Sequence, residues 1–288
     1  FLLVSSLVAV RYHLLLPILT PVLAGVILLG TGTALRYWQE FAARQAAIEM
    51  FGRFLDPVVV QQLAEQGLNE QTLAGQQCEI SVLFSDIRGF TSMSEKTTAA
   101  DIMSLLNAYF TQQVGVIFKN HGTLDKFIGD AIMAFWGAPV SDTQHARQAV
   151  VTALQMQAAL PAVNKVFASK GWPEVKIGVG VNTGEMTVGD MGSSVRKAYT
   201  VMGDAVNLGS RLEGITKQYG VGILVGQTTR KAIKDIVFRE VDRVQVKGKE
   251  EPVAIYEPIG LEGETGKAAH EEMKLWNQAL RYYRAQDW

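Results

Sequence analysis

The sequence predicts an α+β protein: a ferredoxin-like βαββαβ sheet covered by helices on one face, preceded by a transmembrane helix. Three observations carry this reading. Residues 80–136 read as strand, helix and hairpin, residues 142–191 supply a long helix and two further strands, and residues 14–35 run without a single charge.

Taken in order, Leu14 to Leu35 would extend about 33 Å as a helix, enough to cross a bilayer core. Phe1 to Val10 is also apolar but too short to cross, and reads as the end of a preceding, truncated span, with Arg11-Tyr12-His13 as a tight loop. Pro17 and Pro21, the length of the stretch and the lack of a small-residue cleavage site set it apart from a signal peptide. Arg36, Arg44 and Arg53 follow the span, so the positive-inside tendency puts everything downstream in the cytoplasm. Residues 1–36 are thus expected to be membrane segments in the cell's inner (plasma) membrane, with lipid as a partner.

Residues 37–78 form a helical signalling linker. Phe41, Ile48 and Leu55 lie seven apart, as a short parallel coiled coil joining two copies requires, while Gln45, Gly52 and Pro57 dilute that seam and leave a helix packed on its own domain equally open. Residues 65–78 are polar and punctuated by glycine, which places the domain boundary there.

The third domain, residues 79–260, opens with the apolar run Ile80 to Phe84, which ends in Asp86 and a turn at Gly89. Residues 98–118 carry Ile102, Leu105, Leu106, Tyr109, Phe110, Val114 and Ile117 at helical spacing. Thr123 to Trp136 is two strands joined by Gly129-Asp130, a hairpin with Asp130 at its tip. A right-handed crossover lays the first strand beside the hairpin, so two carboxylates reach one sheet edge. A pair of divalent cations roughly 3.5 to 4 Å apart needs such an arrangement for phosphoryl chemistry. Asp142 to Ser169 is a helix with Asp142 as N-cap, followed by a strand at 175–181 and another beginning at Gly184. Gly178, Gly180 and Gly184 lie inside these strands with the wrong spacing for a dinucleotide fingerprint. Asp204 caps a further helix on which Asn207 and Arg211 are four apart, an amide and a guanidinium aimed at one point, as a phosphoryl group in transfer requires. Residues 261–288 form a C-terminal helical extension, with Leu275, Trp276, Ala279, Leu280 and Tyr283 on one face, and end at Trp288 as if truncated.

Composition excludes other classes. A formal net charge of -1 from 27 basic and 28 acidic residues offers nothing to nucleic acid. One cysteine, Cys78, rules out a disulfide framework or a cysteine-rich metal site within one chain and fits a reducing compartment.

Four motifs, Phe84–Thr91, Lys126–Asp130, Tyr199–Arg211 and Val246–Lys249, occur in the order found in the class III nucleotidyl cyclases, and residues 50–258 resemble that family. The resemblance implies the class III cyclase catalytic fold and conversion of ATP to 3′,5′-cyclic AMP and pyrophosphate in signal transduction. It implies two Mg²⁺ ions per site, with Mn²⁺ as a substitute, on Asp86, Asp130 and the carbonyl of Ile87. The amides of Gly89, Phe90 and Thr91 would hold terminal phosphates. Lys126 and Thr200 would select the base, Asn207 and Arg211 would meet the ribose and α-phosphate at the transition state, and Lys247 the outer phosphates, with Lys249 and Arg196 as neighbours. The family builds each site between two catalytic domains, and since one chain carries both residue sets, a homodimer with two equivalent sites is implied.

The residues bear on the chemistry. Lys126 can only donate hydrogen bonds, which suits adenine N1, and Thr200 can accept one from the exocyclic amine. Guanine presents a donor at N1 and would face Lys126 donor to donor. Thr200 stands where many relatives carry an aspartate. Two other readings share the scaffold: a guanylyl cyclase, and a nucleotide-binding regulator without turnover. The diguanylate cyclases are set aside because Ile128-Gly129-Asp130-Ala131-Ile132 replaces their Gly-Gly-Asp/Glu-Glu-Phe turn.

Overall fold

The computed structural model describes residues 4, 16–51, 75–193, 197–245 and 252–285, with only the backbone described at 16–20, 43–44, 46–51, 197, 267 and 269–270. The strands are β1 (Gln76–Ile87), β2 (Thr123–Ile128), β3 (Ala131–Trp136), β4 (Ile177–Gly192), β5 (Lys197–Met202), β6 (Ile223–Gly226), β7 (Ile236–Val244) and β8 (Val253–Leu261). The helices are α1 (Leu16–Phe51), α2 (Phe90–Ser94), α3 (Ala99–Lys119), α4 (His145–Ser169), α5 (Asp204–Tyr219), α6 (Gln227–Ala232) and α7 (Lys267–Ala285).

The sheet runs β2-β3-β1-β4-β6-β8-β7, with β5 paired to the far end of β4. Its first four strands, with α3 and α4, are the expected βαββαβ unit, and β1 lies antiparallel beside the hairpin strand β3. The α3 helix starts one residue after Thr98, whose hydroxyl oxygen accepts the Asp101 amide at 3.2 Å and donates to the Asp101 carboxylate at 2.6 Å.

Alternation along β1 builds two cores. Leu83 and Ile87 face α3 and α4, packing with Leu105, Tyr109, Val150 and Met156, while Ile80, Val82 and Phe84 face the other way toward Tyr199, Val201 and Val206. The second core overturns the expectation of helices on one face only, because α5 covers the reverse side. Glycine makes that possible: a Cβ on Gly180 would stand 2.3 Å from the Glu213 amide nitrogen and 2.4 Å from the Gly209 carbonyl oxygen. The glycines within β4 thus clear a groove for a helix backbone.

Four further expectations change. The strands expected at 175–181 and from 184 are one strand of 16 residues, since β1 begins at Gln76, earlier than the boundary placed at 78, and pairs continuously from Gln76↔Val188 to Ile87↔Ile177. Asp142 is not the N-cap of α4; it accepts the Gln144 amide at 2.8 Å in the preceding turn. Asp204 is the first residue of α5, where its charge favours the helix dipole, and the cap is Gly203 at φ 147°. On α7, Trp276 anchors through its indole N–H to the Glu240 carbonyl at 2.6 Å, but Leu275 is 68% exposed and leaves the predicted face.

The expected membrane span is not supported. Among the described residues no helix is long and apolar enough to cross a membrane. The linker seam falls mostly outside the described residues: Phe41 is exposed and stacks on Tyr37, whereas nothing is described of the side chains of Ile48 and Leu55.

Candidate active site

The register places the two acids together. Ser85 pairs with Ile132, so Asp86 at the end of β1 and Asp130 in the β2–β3 turn meet at one edge, and Gly129 takes the left-handed conformation (φ 66°) that closes the turn. Asp86 Oδ1 accepts the Ile87 amide at 3.0 Å. Burial, followed by the hydrogen bond and charge of Asp86, pushes the Asp130 carboxyl up to about 7. Asp130 Oδ2 is buried with no hydrogen-bond partner. Two abutting carboxylates, one with an orphaned oxygen, fit a divalent cation, which would relieve both the repulsion and the missing partner. Among the described residues no cluster of three or more His, Cys, Asp or Glu side chains could hold a metal, so the remaining ligands would come from backbone and bound phosphate.

A third carboxylate, not identified from sequence, lies nearby. Glu213 on α5 reaches over β4 at Gly178, where a Cβ would stand 2.8 Å from Glu213 Oε1, and Gly178 is the register partner of Asp86. Burial and then the Asp86 charge push its carboxyl up to about 7, opposed by Arg88. Its position two residues after Arg211, on the turn of α5 over the glycines, is the signal that could have found it.

After Ile87 the chain turns at Gly89, φ 71°, into the short α2, whose start no side chain caps. The amides of Gly89, Phe90 and Thr91 lie at that turn, three to five residues after Asp86.

The pair expected to select the base is in contact across β2 and β5: Lys126 Nζ donates to Thr200 Oγ1 at 3.0 Å. Sequence reasoning missed the third member. Thr200 donates to Asp125 Oδ2 at 2.6 Å, and Lys126 Nζ lies 3.1 Å from Asp125 Oδ1 as an ion pair, that oxygen having no donor in hydrogen-bond geometry. Burial raises the Asp125 carboxyl, opposed by the Thr200 hydroxyl and the Lys126 charge.

Asn207 and Arg211 occupy the exposed face of α5, one turn apart, above the buried Val206, Leu208 and Leu212. Among the described residues no side-chain contact joins the Lys126/Thr200 pair to the Asp86/Asp130 pair. Lys247, with Lys249 and Arg196, lies outside the described residues.

A sheet edge carrying two facing carboxylates, a glycine turn into a helix start that no side chain caps, and a lysine–threonine pair suits phosphoryl chemistry on a nucleotide. Residues 73–257 match the adenylate and guanylate cyclase catalytic domain, and the chain belongs to that family. It is 35% identical over 207 residues to adenylate cyclase 1 of Rhizobium meliloti, covering 70% of this chain and 31% of that protein. Thus the chain spans about a third of that relative's length. Among solved structures it is similar to the adenylyl cyclase CyaB from P. aeruginosa (36% identity, TM-score 0.63, 67% of this chain and all of that one). It is equally similar to the guanylyl cyclase Cya2 (38%, TM-score 0.60, 67% of this chain and 97% of that one). Likeness alone therefore does not decide the base.

Proposed function

We propose that the chain is an adenylyl cyclase, converting ATP to 3′,5′-cyclic AMP and pyrophosphate at sites shared between two copies. The observation that carries the choice of base is the Lys126–Thr200 contact, which sets a donor beside an acceptor in the order that adenine N1 and its exocyclic amine require. Asp86, Asp130 and the Ile87 carbonyl would hold two Mg²⁺ ions, or Mn²⁺ in their place. When bound, such ions make the 3′-hydroxyl more acidic and offset charge on the departing phosphates. The amides of Gly89, Phe90 and Thr91, with Lys247, would orient the outer phosphates so that pyrophosphate leaves in line. Asn207 would position the ribose and Arg211 would hold charge developing on the α-phosphate.

Two features support a homodimer. Asn207 and Arg211 face outward from α5, and Phe127, Ile128 and Met202 expose an apolar patch beside Lys126 and Thr200. Closed two-fold pairing would give two equivalent sites, each taking carboxylates from one chain and Asn207 and Arg211 from its partner. The likeness to a guanylyl cyclase favours the one competing reading. Product analysis of the full chain with ATP or GTP, under Mg²⁺ and then Mn²⁺, separates them: cyclic AMP as the dominant product is expected, and equal or better turnover of GTP refutes the assignment.

Location is a separate proposal. Leu23, Val26, Ile27, Leu28 and Leu29 of α1 are exposed, which supports attachment to the cytoplasmic face of the plasma membrane.

A further inference from the structure

We propose that Asp125 is a specificity-determining positioning residue: by accepting the hydrogen bond that the Thr200 hydroxyl donates, it leaves Thr200 only an acceptor toward the base, and so selects a purine with an amine at C6 over one with a carbonyl. This rests on the reading of Lys126 and Thr200 as base contacts.

A threonine hydroxyl alone is a poor discriminator, because it can donate to a carbonyl as readily as it accepts from an amine. Here its proton is committed. Thr200 Oγ1 donates to Asp125 Oδ2 at 2.6 Å, in the short range of hydrogen bonds to an ionised acceptor. Lys126 Nζ donates to the same Thr200 oxygen at 3.0 Å, which occupies one lone pair and leaves the other for an incoming donor. The Asp125 side chain is 1% exposed, so water does not compete for the carboxylate; burial disfavours its charge, and the Thr200 hydroxyl and the ammonium 3.1 Å away oppose that effect. A C6 carbonyl would meet lone pairs with no proton between them. To bind it, Thr200 would have to withdraw its proton from Asp125 and strand a buried oxygen.

The backbone is built for this contact. In a regular strand Asp125 and Lys126 would point to opposite faces. The β2–β3 register slips between Leu124 and Lys126, and this bulge turns both neighbours toward Thr200 on β5. A lysine presented to a base needs no bulge; a lysine and a carboxylate converging on one hydroxyl do.

The test compares kcat/KM for ATP and GTP in the full chain and in Asp125→Asn, Thr200→Val, Thr200→Ser and the Asp125→Asn/Thr200→Val double variant. Asparagine can offer its amide N–H to Thr200 and free the hydroxyl proton, so Asp125→Asn should lower the ATP:GTP ratio by about 10- to 100-fold, the range set by one unpaired buried polar group. In the Thr200→Val background the same substitution should change the ratio less than about twofold, because the hydroxyl through which Asp125 acts is gone. Thr200→Ser, which keeps the hydroxyl, should retain the ratio, and it supplies a test if Asp125→Asn does not fold. An unchanged ratio in Asp125→Asn, an equal shift in the Thr200→Val background, or a loss in Thr200→Ser matching that in Thr200→Val overturns the proposal. If Thr200→Val lowers the ratio and Asp125→Asn does not, Asp125 alone is wrongly assigned; if Thr200→Val changes nothing, the base assignment fails and this inference with it.

Discussion

Asp130→Asn should abolish cyclase activity and yet stabilise the protein in the absence of divalent metal. In the fold the Asp130 carboxyl titrates at about 7 against an ordinary 3.8, because burial and the facing Asp86 disfavour its charge. A group whose folded value is raised contributes stability that is present below the unfolded value and lost as pH rises through the folded one. Metal-free protein should therefore weaken as pH climbs from about 4 to about 7. Full conversion at 1.36 kcal/mol per pH unit gives about 4 kcal/mol, and solvent at the partly exposed hairpin tip reduces this to about 1 to 2 kcal/mol. Asparagine has no charge to lose, so at pH 8 in EDTA it should melt about 2 to 8 °C higher than the unmutated chain, with the difference shrinking at pH 5. Thermal melts by circular dichroism at both pH values measure this. A lower melting temperature for Asp130→Asn at pH 8 in EDTA, or a gain that Mg²⁺ does not narrow, would refute the paired-carboxylate account.

The base assignment predicts that Lys126→Glu with Thr200→Cys erodes the preference for ATP, measured as the ratio of kcat/KM values; a retained preference would contradict it. Gly180→Ala should cost about 3 kcal/mol in urea unfolding, because the new methyl meets α5 backbone that carries Asn207 and Arg211, and activity should fall with it. A change below about 0.5 kcal/mol would mean that α5 does not sit so close. If α1 attaches the chain to membrane, the full chain should float with anionic lipid vesicles, and Leu23→Gln with Leu28→Gln should leave it at the bottom of the gradient; identical flotation of both rules out that role for the apolar face.

The part of this site that depends on local chemistry was legible in the sequence. Gly129-Asp130 between two apolar runs gives the hairpin, and the crossover through α3 then brings Asp86 to the same edge. What escaped was set by pairing over distance. Gly178 and Gly180 read only as strand glycines with the wrong spacing for a dinucleotide fingerprint, and the approach of α5 shows them to be a groove; that same approach brings Glu213 to the acidic pair. Asp125 escaped for a different reason. Strict alternation assigns it to the face opposite Lys126, and nothing in the letters announces the bulge that reverses this. Leu275 went astray because a helical stripe of five apolar residues is wider than the contact that α7 makes with β7, which Trp276 dominates.

The central claim is that each chain supplies carboxylates to one adenylyl cyclase site and Asn207 and Arg211 to the other. Cyclic AMP formation by mixed dimers tests it most directly. Asp130→Ala and Arg211→Ala homodimers should each be nearly inactive, since both of their sites lack one part. In a mixed dimer one site collects both defects and the other is intact, so co-expression should restore up to about half of normal activity per mixed dimer. If both variants fold and exchange subunits, yet the mixture forms no more cyclic AMP than its components, the shared site is contradicted.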